Sequence, residues 1–285
     1  MSSIGRLKAL SFAAATLLAL GTADAGTLDT VRQTKALRIA YREDAPPFSF
    51  ADEAGLPAGF TIDLCRSVAK HIGEQLNIGD LKIDYVLVTA ENRFDAIENG
   101  KADLLCEPTS ETLARREKMD FSIPTFVDGA SLLVSGDGPS DFSALSGKKI
   151  GVLAGTTTEQ SLRNTLAGAY ITAEIAPAKT HQEGLAMLDK GEIVAYFADR
   201  AILSYLAAKS SDASKLRLAD NYFSLEPYAL ALPRGDEDFR LAVDRALSHI
   251  YRSGEIAIVF AHTFGNAMQP SDTLKTLYTV SALPD

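Results

Sequence analysis

The stretch ENRFDAIENGKADLLCEPTSETLARREKMDFSIPTF, residues 91–126, decides the fold. Phe94 and Ile97 share one helical face, and Asn99-Gly100 is a natural left-handed stop for that helix. Ala102 to Cys106 then reads as an apolar strand, and Glu107 to Ser110 as a polar turn. Working back towards the N-terminus, Leu37 to Tyr41 and Ile83 to Val88 read as two more strands. Between them Ile62, Cys65, Val68, Ala69, Ile72 and Leu76 fall on one face of a helix. This half of the chain is therefore βαβαβ.

A second series begins after Phe121-Ser122-Ile123-Pro124. Lys149 to Leu153 makes a strand, and Thr158 to Leu166 a helix opened by Gly155-Thr156-Thr157. Gln182 to Leu188 gives the next helix, followed by the strand Ile193 to Phe197 and a helix carrying Ile202, Leu203 and Leu206. Alternating strands and helices of this kind build α/β sheets. After one more strand, Tyr228 to Leu232, the pattern turns helical, with Phe239, Val243, Ala246, Leu247 and Ile250 as a stripe stopped by Gly254.

The N-terminus reads differently. Arg6 and Lys8 precede an apolar run from Ala9 to Leu20, and Ala23-Asp24-Ala25 closes it, the layout of a secretory signal peptide cleaved after Ala25. The run is shorter than the roughly 20 residues that span a bilayer. Cleavage removes two positive charges and one negative charge, so the formal net charge moves from −9 to −10. Such a chain has no reason to bind nucleic acid. The two cysteines, Cys65 and Cys106, either pair in an oxidising compartment or serve as buried free thiols. With four scattered histidines beside them, no metal-ligand cluster can be assembled from spacing.

The opening stretch resembles the polar-amino-acid solute-binding proteins of ABC importers, where a helix, N-G-x-x-D, strand, polar turn and T-x-x-R precede a DFS hinge. YREDAPPFSF, GFTIDL, LSGKKIGVLAGTTTE, AYFADRAIL and PYALALPRGDEDFRLAVDRAL fit in the same order and cover nearly the whole mature chain. The resemblance implies a two-lobed periplasmic binding fold, α/β, with two hinge-strand crossovers near Ile123 to Ala130 and Ala219 to Leu225. The expected division is a signal peptide over residues 1–25, one lobe from residues 26–125 and 225–285, and the other from residues 126–224. A monomer in the periplasm is expected, with a small amino acid and a membrane permease as partners, and no cofactor or metal.

A free amino acid needs a cation for its carboxylate and an anion for its ammonium, because burying either charge unpaired costs several kcal/mol. By resemblance, Arg115 takes the α-carboxylate and Asp199 the α-ammonium. Thr157, in the G-T-T-T turn, assists the carboxylate from a helix N-terminus, or else it or Thr156 simply caps that helix with Glu159. Ser110 adds a hydroxyl. Arg42, Arg93 and His181 resemble the glutamate/aspartate-binding members, which makes the expected ligand an acidic L-amino acid.

Phe48 is expected to wall the cleft, with Phe50 in the core. Glu107 and Pro108 depart from the family's usual turn, where glycine or serine stands at the first position. Two readings of Glu107 stay open: it balances the arginines, or it points away to a surface lysine. Counting three arginines against Asp199 and Glu107 leaves one positive charge for a dicarboxylic amino acid. Secreted cyclohexadienyl dehydratases resemble this family too, so a carboxylic acid in the cleft also raises an enzymatic alternative.

Overall fold

The computed structural model describes residues 26–284 other than 137, 140 and 211. The signal peptide expected over residues 1–25 lies outside the described residues. Two five-stranded sheets organise the rest. The first has Ala36–Tyr41 flanked by Lys82–Leu87 and Leu104–Leu105, all parallel, and is completed by Ala231–Pro233 and Met119–Phe121, which pair antiparallel. The second has Lys149–Leu153 between Glu174–Ala178 and Ala195–Asp199, again parallel, with Ala130–Ser135 and Leu216–Leu218 antiparallel beyond them.

The chain passes between the lobes twice, along Phe126–Asp128 and Glu226–Tyr228, which pair with each other as a two-stranded antiparallel ribbon. The second crossing lies later than Ala219 to Leu225. Those residues stay with the second sheet, where the Ala219 amide donates to Leu132 O at 2.8 Å and the Phe223 amide to Ala130 O at 2.8 Å. The single strand expected from Tyr228 to Leu232 is also divided, because the chain changes sheets inside it. Its middle is held by the Ala229 amide donating to Thr109 O at 3.0 Å and the Leu230 amide donating to the Ser122 hydroxyl at 3.0 Å.

The helix Phe60–Gln75 buries Ile62, Cys65, Val68, Ala69 and Ile72, and Phe60, Thr61 and Leu64 with them. Its apolar face is wide because the first sheet covers one side and the C-terminal helices Glu237–Ser253 and Glu255–Phe264 cover the other. Each aliphatic side chain so buried contributes about 1.5–3 kcal/mol. Cys65 of this helix is bonded to Cys106, which follows the Leu104–Leu105 strand. The pairing resolves the alternative left open by the sequence. It ties the base of the Glu107 turn to the long helix Phe60–Gln75 of the first lobe.

Phe48 is in the core rather than at the cleft. It is fully buried, its ring edge-on to Phe126 at 4.9 Å, Tyr228 at 5.3 Å and Phe60 at 6.3 Å. The Phe60 and Thr61 amides donate to Pro47 O and Phe48 O at 2.9 Å each, which turns Phe48 under the helix N-terminus. Gly59 makes that approach possible, since a Cβ there would lie 2.5 Å from Phe48 O and its φ is +116°. Phe50 is the one that reaches across, with its ring 5.9 Å from Tyr205 of the second lobe.

Candidate functional site

The side chains of interest stand at the carboxyl ends of the parallel strands of both sheets, where open α/β sheets hold ligands. Arg42 follows the Ala36–Tyr41 strand, Arg93 opens the Arg93–Glu98 helix after Lys82–Leu87, and Glu107 and Ser110 follow Leu104–Leu105. Arg115 lies in the short helix Leu113–Arg116, capped by the Thr112 hydroxyl, which accepts from the Arg115 amide at 3.2 Å. From the second lobe, Thr157, His181 and Asp199 follow or end the strands Lys149–Leu153, Glu174–Ala178 and Ala195–Asp199.

The lobes are closed on each other here. The Ser110 and Thr157 hydroxyls are 3.1 Å apart, Arg93 Nη2 donates to Gly155 O at 3.4 Å, and the His181 amide donates to Asp44 Oδ2 at 3.4 Å. A polar cavity remains between them. Arg42, Arg93, Ser110 and Arg115 line it from the first lobe, and Thr157, His181 and Asp199 from the second.

Glu107 stands behind these residues rather than among them. Its side chain is fully buried, with Oε2 accepting from Arg42 Nη1 at 3.4 Å and Oε1 lying 3.4 Å from Arg93 Nε. The Thr109 hydroxyl donates to Oε1. Of the two sequence readings, the one that sends Glu107 to a surface lysine is therefore excluded. Pro108 has no amide to donate, and the turn uses the Thr109 side chain instead.

Arg93 is short of partners. Its Nε and Nη1 are buried without a hydrogen bond, and its guanidinium lies over the Phe94 ring at 4.3 Å. Burial lowers its pKa to about 10, with Arg115 and Arg42 repelling it further and only Glu107 and Asp44 opposing. Burial likewise lowers the pKa of Arg115, whose Nη1 donates to Ser110 O at 2.6 Å. Both cations are thus held where an anion relieves them.

Asp199 is in the opposite condition. Oδ1 is buried without a hydrogen bond, and burial first, then Asp128 and Glu226, pushes its carboxyl well above the usual carboxylate range. An ammonium placed against it supplies the missing counter-charge. Asp199 occupies the N-cap position of the Arg200–Lys209 helix yet makes no side-chain capping bond, so its oxygens are not spent there. Thr156 takes the equivalent duty in the Thr157–Gly168 helix, accepting from the Glu159 amide at 3.2 Å. That leaves Thr157 free to meet Ser110.

His181 is buried, and burial followed by repulsion from Arg42 drives its pKa well below the ordinary histidine value. It is a neutral hydrogen-bonding group, with Nδ1 3.0 Å from the Tyr196 hydroxyl.

Sequence reasoning missed Asp44. It accepts from Arg42 Nε at 2.8 Å through Oδ1, with Arg42 Nη2 at 2.8 Å from the same oxygen. The signal was present in the R-E-D triplet, two residues beyond Arg42. Adding it changes the charge count to three positive and three negative groups, so net charge alone no longer selects a dicarboxylic ligand.

Residues 37–266 match the family of bacterial extracellular solute-binding proteins, family 3. The chain belongs to this family. It is a solute-binding protein of the polar-amino-acid type associated with ABC import, and its two-lobed fold with paired hinge strands is the one that family uses. It is 32% identical over 247 residues to an L-glutamate/L-aspartate-binding protein of Pseudomonas aeruginosa, covering 86% of this chain and 82% of the relative. An L-cystine-binding protein of Escherichia coli is 28% identical over 247 residues, covering 85% and 88%. Among solved structures, an ancestral amino acid-binding protein described as a precursor of cyclohexadienyl dehydratase superposes with a TM-score of 0.74 at 28% identity, covering 84% and 99%.

Proposed function

We propose that this solute-binding protein captures an acidic L-amino acid, glutamate or aspartate, in the periplasm and delivers it to the permease of an ABC importer without chemical change. The observation that carries the reading is the Arg93 guanidinium, buried at the cavity with Nε and Nη1 making no hydrogen bond to the protein. Arg115 and Asp199 are enough for the α-carboxylate and α-ammonium of any amino acid. Arg93 is a further cation, and a side-chain carboxylate gives it the hydrogen bonds that the protein does not. Arg42 stands on the same wall, and neutral His181 adds a hydrogen-bonding group without charge.

Although the buried charges balance in number, they are not evenly placed. Asp44 is drawn onto Arg42 at 2.8 Å, and the contacts of Glu107 with Arg42 and Arg93 are long at 3.4 Å. The positive excess therefore sits at Arg93. The 32% identity to a glutamate/aspartate-binding relative points the same way. Calorimetry with L-glutamate, L-aspartate, L-glutamine and L-cystine tests the proposal. Tight binding of one of the acids is expected, and Arg93→Ala weakens it about 100-fold while weakening glutamine much less, in line with removing one partner of a buried charge pair. Binding of only glutamine or cystine overturns the acidic reading.

The likeness to a dehydratase precursor motivates one check of the enzymatic alternative. Glu107, the carboxyl that prompted it, lies behind the cavity wall with both oxygens facing protein donors. No product is expected on incubation with prephenate or arogenate.

A further inference from the structure

Asp44 joins both lobes and a cavity-lining arginine through one carboxylate. It lies in a two-residue strand, Asp44–Ala45, paired with Ser49–Ala51, so its backbone is fixed to the first lobe. Oδ1 accepts from Arg42 Nε at 2.8 Å, while Oδ2 accepts from the His181 amide of the second lobe at 3.4 Å. That amide is at the first position of the His181–Asp189 helix. It has no partner within its own helix, and the Thr180 hydroxyl caps a different amide, that of Glu183, at 3.0 Å. The second contact exists only when the lobes are closed.

Arg42 is meanwhile shared. Nη1 goes to Glu107, Nε to Asp44, and Nη2 is buried without a hydrogen bond although it is 2.8 Å from Asp44 Oδ1. The positive field that Arg42 offers the cavity is thus set by a neighbour that does not itself line the cavity. A carboxylate with 13% side-chain exposure beside a guanidinium with 3% is only weakly screened by solvent, so its charge is felt.

We propose that Asp44 is a specificity-determining positioning residue, which sets the charge preference of the site by neutralising Arg42 in the closed form. This rests on the acidic-ligand reading for its sign: Asp44 restrains a site that would otherwise favour acids more strongly. A purely structural residue would weaken all ligands alike when replaced. A charge-setting residue moves an acid relative to its amide.

L-Glutamate and L-glutamine are nearly the same size and differ at the end of the side chain, a charged carboxylate against a neutral amide. The ratio of their dissociation constants, measured by calorimetry at low ionic strength for the wild type and for Asp44→Asn, reads the effect directly. Asp44→Asn is expected to shift the ratio towards glutamate by about tenfold or more, which corresponds to about 1.4 kcal/mol. Asp44→Ser, which keeps no carboxylate and a smaller side chain, is expected to shift it in the same direction and serves if the asparagine variant does not fold. A ratio unmoved within about threefold, or both ligands weakened equally, overturns the proposal. A wild type that prefers glutamine defeats the acidic reading instead, and the direction of the shift in the ratio still decides the role of Asp44.

Discussion

Glu107 Oε1 and Arg93 Nε lie 3.4 Å apart in a part of the first lobe where both side chains are almost wholly removed from solvent. The carboxylate is shared with Arg42, so removing its charge leaves two buried guanidinium groups facing each other with less compensation. Glu107→Gln is therefore expected to destabilise the ligand-free protein by about 3 kcal/mol, the lower end of what breaking a buried pair costs. Saturating L-glutamate returns part of that loss, because its side-chain carboxylate restores a negative charge beside Arg93. Thermal unfolding with and without ligand measures both effects, and equal loss in the two conditions would contradict the shared-charge account.

The Cys65–Cys106 bond closes a loop of 41 residues. In the chain-entropy model a loop of that size contributes about 4 kcal/mol to stability. Cys65→Ser with Cys106→Ser is expected to lower the unfolding free energy in denaturant titrations by about that amount. Because Cys106 directly precedes Glu107, ligand affinity should fall as well. A double variant with unchanged stability would show that the denatured chain is not constrained by the bond.

The two hinge strands place Asp128 and Glu226 directly opposite each other. Burial, with Glu226 adding repulsion, pushes the Asp128 carboxyl up to about 6, against the amides of Ala201 and Gly129, which favour its charge. The folded pKa is raised above the unfolded value of about 3.9, so the native chain binds the extra proton between those limits. Stability from this group is present at pH 4 and is lost as the pH rises through 6, a change of about 2–3 kcal/mol. Asp128→Asn is expected to flatten that portion of the stability curve measured by denaturant unfolding from pH 4 to pH 7. An unchanged slope would place the titration elsewhere.

Much of this was legible in the sequence because apolar period and cap residues act locally. Asn99-Gly100 stops its helix with Gly100 at φ +62°, and the face from Ile62 to Ile72 is buried as its spacing required. Seven polar or charged residues named from the motifs line one cavity because each closes a strand or opens a helix at the same edge of a sheet. What was not legible depends on distant partners. Phe48 and Phe50 are two residues apart and would share a face on a continuous strand, but Phe48 lies in the turn before Ser49–Ala51, and the aromatic cluster with Phe126, Tyr228 and Phe264 takes it inward. The later hinge follows from backbone bonds to Leu132 and Ala130, and Asp44 gains its second partner, the His181 amide, only when the second lobe closes over it.

Gly184 shows how tightly that closing lobe is packed. It lies in the His181–Asp189 helix, where a Cβ would come within 2.1 Å of Tyr196 Cε2. Tyr196 is fully buried, with its hydroxyl 3.0 Å from His181 Nδ1, so the ring can yield only by giving up the contact that orients the histidine. Gly184→Ala removes a helix glycine, which by propensity alone would stabilise by about 1 kcal/mol. Overpacking costs about 1–3 kcal/mol and outweighs that gain, because the clash is with a buried ring rather than a flexible tip. The variant is expected to melt at lower temperature and to bind its ligand more weakly. Tyr196→Phe, which keeps the ring and removes only the hydroxyl, separates the two effects: it should weaken binding while costing less stability than Gly184→Ala. A Gly184→Ala protein as stable as the wild type would mean that the ring has room to move and that His181 is oriented by something other than Tyr196.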